Sequence, residues 1–345
     1  MIKATGSQTQ IWNNGIKSVF LLAMFPVFVA LIVYAGLIVQ LGLAGMPVME
    51  ALEAGFYALP PTIPYVVMGV GVWFVIAFFL NVQLINLAMG ARSVSRKQEP
   101  ELYNLLENLC IAKGMPMPRL SIIETDAMNA FASGLTKRQY MVAVTRGLMR
   151  KLNKDELEGV LAHELAHIKH GDVRLMVIAS VFVGIFTLIM EFLFRNGDIL
   201  VRALGSTSSS KKSSNDKGGG LAAILVLILI AFTILIVTRV LSVMTQLALS
   251  RTREYMADLE AVRMTKNPDA MVSALLKISG RSDVQGVPNE VRGMFFDNAR
   301  SFAGDLFSTH PTIDKRVKSL MTYAGARAPS AAPAMPARAN AGPWA

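Results

Sequence analysis

The chain has 345 residues, 53% of them hydrophobic and only 17% charged, with a net charge of +10 and a single cysteine, Cys110. Soluble domains carry about 25% charge, so this balance and a mean hydropathy of +0.44 point to a membrane protein. One thiol excludes an internal disulfide and thiolate-rich zinc sites, and the basic residues form no aromatic-interleaved patch, so charge flanking membrane spans accounts for the basicity better than nucleic-acid binding does.

In chain order, four runs are long and apolar enough to cross a bilayer, which takes about 20 helical residues. They cover Val19–Leu43, Tyr65–Met89, Leu175–Phe194 and Leu221–Thr238. Pro26 lies inside the first and can kink it. That run is too long for a signal peptide and lacks a small-residue cleavage site, so it reads as an anchor. Lys3 and Lys17 precede it, and the loop after it carries Glu50 and Glu53 with no Lys or Arg. Arg92, Arg96 and Lys97 follow the second run at once. The positive-inside rule then places the N-terminus and the region after Met89 in the cytoplasm. The segment between the third and fourth runs, Arg195–Gly220, is basic and rich in Ser and Gly. Two full crossings would put it outside, against that rule; an apolar hairpin dipping into the membrane is the alternative.

The expected organisation is an N-terminal region with two transmembrane helices over 1–90, and a first cytoplasmic soluble half over 91–172. Two further apolar helices with their basic connecting loop follow over 173–249. A second cytoplasmic half covers 250–323, and an Ala/Pro-rich tail, 324–345, reads as disordered.

Within the first soluble stretch a helix is expected over Pro100–Lys113, with Cys110 as an inert packed thiol, and a strand over Leu120–Glu124. Asn153 followed by Glu156 fits a capping box. It opens a helix that carries Leu157, Val160, Leu161, Leu165 and Ile168. On that helix lies His163-Glu164-Leu165-Ala166-His167. Residues four apart share a helical face, so both imidazoles can reach one metal ion. Glu164 stands beside them, able to take a proton from an attacking water and pass it to the leaving amine. The chain holds only 4 histidines, so a chance pairing at this spacing is improbable.

A catalytic zinc needs a third protein ligand and an open position. A further HxxGxxH-type extension fails, because His170 and Val173 stand where Gly and His would be required; His170 reads as a polar-face or neighbouring-helix residue and not as a ligand. The other source is a distant carboxylate. After the fourth apolar run comes Ser250-Arg251-Thr252-Arg253-Glu254-Tyr255-Met256-Ala257-Asp258. Glu254 and Asp258 are four apart: Glu254 can complete a two-His, one-Glu set, and Asp258 can accept a hydrogen bond from a ligand imidazole. Taken alone, the same residues read as a solvated charged face beside Arg251 and Arg253.

These motifs resemble the HtpX family of bacterial inner-membrane zinc proteases, related to the eukaryotic prenyl-protein endopeptidases, along nearly the whole chain. The resemblance implies one Zn²⁺ per chain on His163, His167 and Glu254, with Glu164 as the catalytic glutamate. Asn129-Ala130-Phe131-Ala132, followed by Ser133-Gly134, is similar to the family's edge-strand motif, which hydrogen-bonds the substrate backbone. His310-Pro311 matches a family His-Pro-Pro, whose histidine stabilises the oxyanion; Thr312 replaces the second proline, and Pro311 can still open a helix at its first position. The implied protein is mainly α: a multi-pass membrane protein of the cell inner membrane with four transmembrane helices and a zincin-like domain holding a small mixed sheet. The implied role is stress-response quality control, with misfolded or damaged membrane proteins as substrates. A catalytically silent membrane scaffold is the rival reading. A transporter is disfavoured, since no span carries paired charges at mid-depth.

Overall fold

The computed structural model describes residues 7–43, 46–181, 251–279, 281–282, 296 and 311–327. Most of the third apolar run, all of the fourth, the basic loop between them, His310 and most of the tail lie outside those residues. The chain divides into two compact units, one built around 16–79 and the other from 80–177 with the segments after 247.

The first unit is helical. α1 (Ser7–Leu43) runs through Pro26, and α2 (Val48–Ala58) is joined by a 3₁₀ turn at Pro60–Thr62 to α3 (Ile63–Met89), which contributes residues to both units. α1 and α2 meet at Ile38 and Ala51, where the Tyr34 hydroxyl donates to the Leu52 carbonyl at 3.1 Å. Among the described residues one stretch, Met49–Leu80, is long and apolar enough to cross a membrane. It starts earlier than the expected second run, because α2 and the 3₁₀ turn lead directly into α3. Val67, Met68, Val72, Val75 and Phe79 on α3 are all exposed. Such a contiguous apolar surface is rare on a soluble protein.

The second unit carries the chemistry-bearing residues. Its sheet has the order β1-β2-β4-β3, formed by β1 (Ala91–Ser93), β2 (Arg119–Ile123), β3 (Ala130–Ser133) and β4 (Met141–Thr145). β2 and β4 pair in parallel, while β1 and β3 are antiparallel to their neighbours. The sheet is therefore mixed, with β3 at one edge. β4 is buried along its whole length, as its unbroken Met-Val-Ala-Val run requires. Gly134 ends β3 with φ +121°; a Cβ there would sit 2.7 Å from the Gln139 carbonyl oxygen, so only glycine permits the turn toward β4.

α4 (Pro100–Lys113) opens with proline at its first position, where the missing N–H has no intrahelical role. Cys110 is buried on it, and burial pushes the thiol up to about 11, which keeps it protonated and unreactive. A short α5 (Arg146–Lys151) precedes α6 (Lys154–His170). α6 then packs against α7 (Arg251–Thr265), α8 (Pro268–Ile278), α4 and β3, and α9 (Ile313–Ala324) packs on α7 and α8. Thr312 occupies the N-cap position of α9, so Pro311 precedes the helix instead of opening it: Thr312 is extended, with ψ 147°.

α6 begins with the full capping box: Asn153 Oδ1 accepts from the Glu156 amide at 2.9 Å, and Glu156 Oε2 accepts from the Asn153 amide at 2.8 Å. The same carboxylate accepts from Ser273 Oγ at 2.6 Å and from Lys277 Nζ at 2.8 Å, tying α6 to α8. Burial pushes the Glu156 carboxyl up, yet the bonds from Lys277, Ser273 and the Asn153 amide outweigh it and hold the group below its ordinary 4.5. A depressed folded value means the stabilisation is complete above 4.5 and disappears as pH falls through the folded value. Glu156→Ala is expected to cost about 1–2 kcal/mol at neutral pH. The gap in thermal midpoint from the parent should close as the carboxyl is protonated in acid. A gap that persists unchanged there would show that the charge plays no part.

Candidate metal centre

His163 and His167 lie one turn apart on α6 and face α7. Their Nε2 atoms are 3.0 Å apart. Across from them Glu254 places Oε1 3.4 Å from His167 Nε2 and Oε2 3.6 Å from His163 Nε2. All three residues are buried, and their donor atoms lie within 4.8 Å of one another. Tetrahedral zinc with bonds near 2.1 Å needs ligand atoms roughly 3.4 Å apart, so two imidazoles and one carboxylate at these separations fit the ion.

Each imidazole uses its other nitrogen to reach a carboxylate. His163 Nδ1 lies 2.9 Å from Asp258 Oδ1, and His167 Nδ1 lies 2.9 Å from Asp172 Oδ2. These bonds fix which ring nitrogen faces the metal position. Each carboxylate is in turn held by a buried arginine. Arg316 is fully buried and grips Asp258 with Nε at 2.9 Å and Nη2 at 2.6 Å. Arg253 Nη1 stands 3.6 Å from Asp172 Oδ1. Burial raises the Asp258 carboxyl, but Arg316 and His163 more than reverse it and keep it ionised. Asp172 is likewise held low against its burial by His167 and Arg253. In the metal-free protein, burial pulls the His163 ring down, but the bonds to Asp258 and Glu254 prevail and it is pushed up to about 9.

Glu164 is 1% exposed, next to both imidazoles. Burial raises its carboxyl above the ordinary value, reinforced by Glu254 and opposed by the imidazoles. Its Oε1 has no hydrogen-bond partner among the described residues, as suits an acceptor meant for a water or a substrate proton.

A peptidase family M48 model matches residues 95–324, which include every member of this cluster. The chain belongs to peptidase family M48. It is similar to the "Protease HtpX homolog" of Bacteroides fragilis, 40% identical over 333 residues, which span 92% of this chain and 99% of that one. The protein of the same name from Listeria monocytogenes serovar 1/2a is 36% identical, over 90% of this chain and 98% of its own. The crystal structure of S. mikatae Ste24p overlaps with a TM-score of 0.44 and 17% identity, covering 90% of this chain and 67% of that one. This M48 peptidase is thus an HtpX-like metalloprotease.

Some residues around this candidate site were not legible in the sequence. Asp172 carries no motif: it falls just past Gly171, whose left-handed φ of +74° ends α6, and its carboxylate lies 2.9 Å from His167 Nδ1. Arg253 reads as part of a solvated face, yet it is 5% exposed and Glu254 3%, so that alternative is overturned. His170 is buried on α6 and stands outside the ligand group. The predicted substrate strand is β3 with the residue before it. Asn129 Oδ1 accepts from the Ala130 amide at 3.0 Å and Asn129 Nδ2 donates to the Ser282 carbonyl at 2.8 Å. The Ala130 carbonyl accepts from the Phe296 amide at 2.8 Å.

The two carboxylate arms of this M48 peptidase should respond differently to truncation. Asp172→Ala removes the orientation of His167, and zinc affinity should fall roughly 10- to 100-fold; Arg253 Nη1 stands 3.6 Å from Asp172 without a hydrogen bond, so the change in thermal midpoint should be the smaller of the two. Asp258→Ala should lower affinity similarly and also strand the Arg316 guanidinium, at a cost of about 3–5 kcal/mol. Chelator competition and thermal melts on both variants check this; equal melting losses would contradict the asymmetry.

Proposed function

We propose that this M48 peptidase is a membrane-embedded, zinc-dependent endopeptidase that cleaves misfolded or damaged membrane proteins on the cytoplasmic side. The observation that carries the reading is the tetrahedral-sized set of His163, His167 and Glu254 with the buried, unpartnered Glu164 oxygen beside it. One zinc per chain, held by those three residues, would polarise the scissile carbonyl and acidify the attacking water.

Glu164 takes the water's proton and then gives it to the leaving nitrogen. Its raised carboxyl value suits both halves of that exchange. Asp258 and Asp172 keep the two imidazoles in the tautomer that leaves Nε2 free. Asn129, Ala130, Phe131 and Ala132 offer the substrate an edge strand, which binds main chain with little demand on sequence. His310 donates to the oxyanion. The membrane assignment draws on Met49–Leu80 and its exposed apolar side chains, and the orientation on Arg92, Arg96 and Lys97 just after α3.

Detergent-purified full-length protein should contain one zinc per chain and hydrolyse unfolded casein, with loss of both on chelation and recovery with zinc. Zinc-loaded protein that binds casein without cutting it would favour the scaffold. For orientation, Ser95→Cys and Thr322→Cys, both at exposed positions, are placed in a Cys110→Ser background. Both should resist an impermeant thiol reagent applied to intact cells; labelling of either would overturn the cytoplasmic placement. Proteins trapped by Glu164→Gln in cells would identify the substrates.

A further inference from the structure

Phe296 is buried beside the candidate metal-ligand group, and its contacts with Ala130, Arg316 and His163 together resemble those of a bound peptide residue. Its amide donates to the Ala130 carbonyl of β3 at 2.8 Å, and its carbonyl accepts from Arg316 Nη1 at 3.0 Å. Its ring meets the His163 imidazole edge-on, with centroids 4.7 Å apart, and lies under the Arg316 guanidinium at 4.5 Å. Phe296 is 1% exposed.

β3 is the edge of the sheet, and an edge strand recruits an extended peptide through its outward main-chain groups while pockets receive the side chains. The Ala130 carbonyl is one such group, and Phe296 already holds it. A chain adding to this edge would bring its own amide to the place that the Phe296 amide holds, so the two compete for that position. The pocket around the ring suits a flat π-system: a cation sits over its face and an imidazole edge abuts it, contacts an aliphatic side chain cannot reproduce.

We propose that Phe296 occupies, from within the same chain, the subsite that receives a substrate side chain beside His163, and that this subsite selects aromatic residues. The inference rests on the protease reading above. Substrate must displace Phe296, so its apparent affinity is reduced by the fraction of enzyme in which the subsite is open. Unfolded segments rich in exposed aromatic side chains would compete best, whereas folded proteins, whose aromatic residues are buried, would leave the site closed.

The test uses full-length, zinc-loaded enzyme in detergent. Wild-type zinc content and casein hydrolysis come first: zinc-loaded protein that does not cut removes the protease reading itself. With hydrolysis in hand, mass spectrometry of the casein fragments should show aromatic residues enriched at one fixed position from the cut. No enrichment overturns the aromatic subsite. Peptides built on the best site are then compared across wild type, Phe296→Ala and Phe296→Leu. KM should fall by roughly threefold to tenfold in the alanine variant as self-competition is relieved, with a smaller fall for leucine. An unchanged or higher KM in a variant that keeps its thermal midpoint overturns self-occupancy while leaving the protease reading intact. Should alanine prevent folding, the leucine variant, which retains most of the volume, decides by the same criterion.

Discussion

Glu164→Gln is expected to abolish peptide hydrolysis while leaving zinc in place. The glutamine matches the carboxylate in shape and leaves His163, His167 and Glu254 untouched, so the metal keeps its ligands. What it cannot do is accept the proton of the attacking water. Loss of a positioned general base is worth about 10²–10⁴ in rate, and in the proposed mechanism the same residue is also the acid for the leaving nitrogen, so the upper end is expected. The wild-type carboxyl is 1% exposed and raised by burial, so the neutral amide should be no less stable than the parent. Turnover of casein, zinc content and thermal midpoint on one preparation form the check. Turnover within a few-fold of wild type at full zinc would remove Glu164 from the chemistry.

Glu254→Ala should act on the metal first and on activity through it. It reduces three protein ligands to two, and Glu254 is the one that comes from α7, so the ion would no longer bridge α6 and α7. Zinc bound to the native state stabilises it by mass action. Chelation should therefore lower the melting temperature of wild type and leave that of Glu254→Ala nearly unchanged. The variant should be purified with little zinc and show no hydrolysis above background. Full zinc occupancy in Glu254→Ala would mean that the third ligand lies elsewhere.

The sequence by itself determined what depends on neighbours along one helix. The capping box at Asn153 and Glu156 set where α6 starts, Pro100 set where α4 starts, and the spacing of His163, Glu164 and His167 placed them together. These relations lie within i to i+4, where helical geometry alone decides which side chains meet. The pairing of Glu254 with Asp258 was legible for the same reason, but their environment was not. α7 is so polar that its pattern matches a solvated face, and only packing against α6 and α9 makes Arg253, Glu254 and Asp258 interior residues. The Asp258–Arg316 clamp links residues 58 positions apart, and the Asp172–His167 contact forms across Gly171, whose left-handed conformation ends α6 between them. Phe296 seated on Ala130 leaves no periodic or motif trace at all. Such contacts are set by which charged groups the folded core can bury together, since an unpaired buried charge is costly and a paired one is tolerated. That selection operates across the assembled tertiary structure, and no local pattern records it.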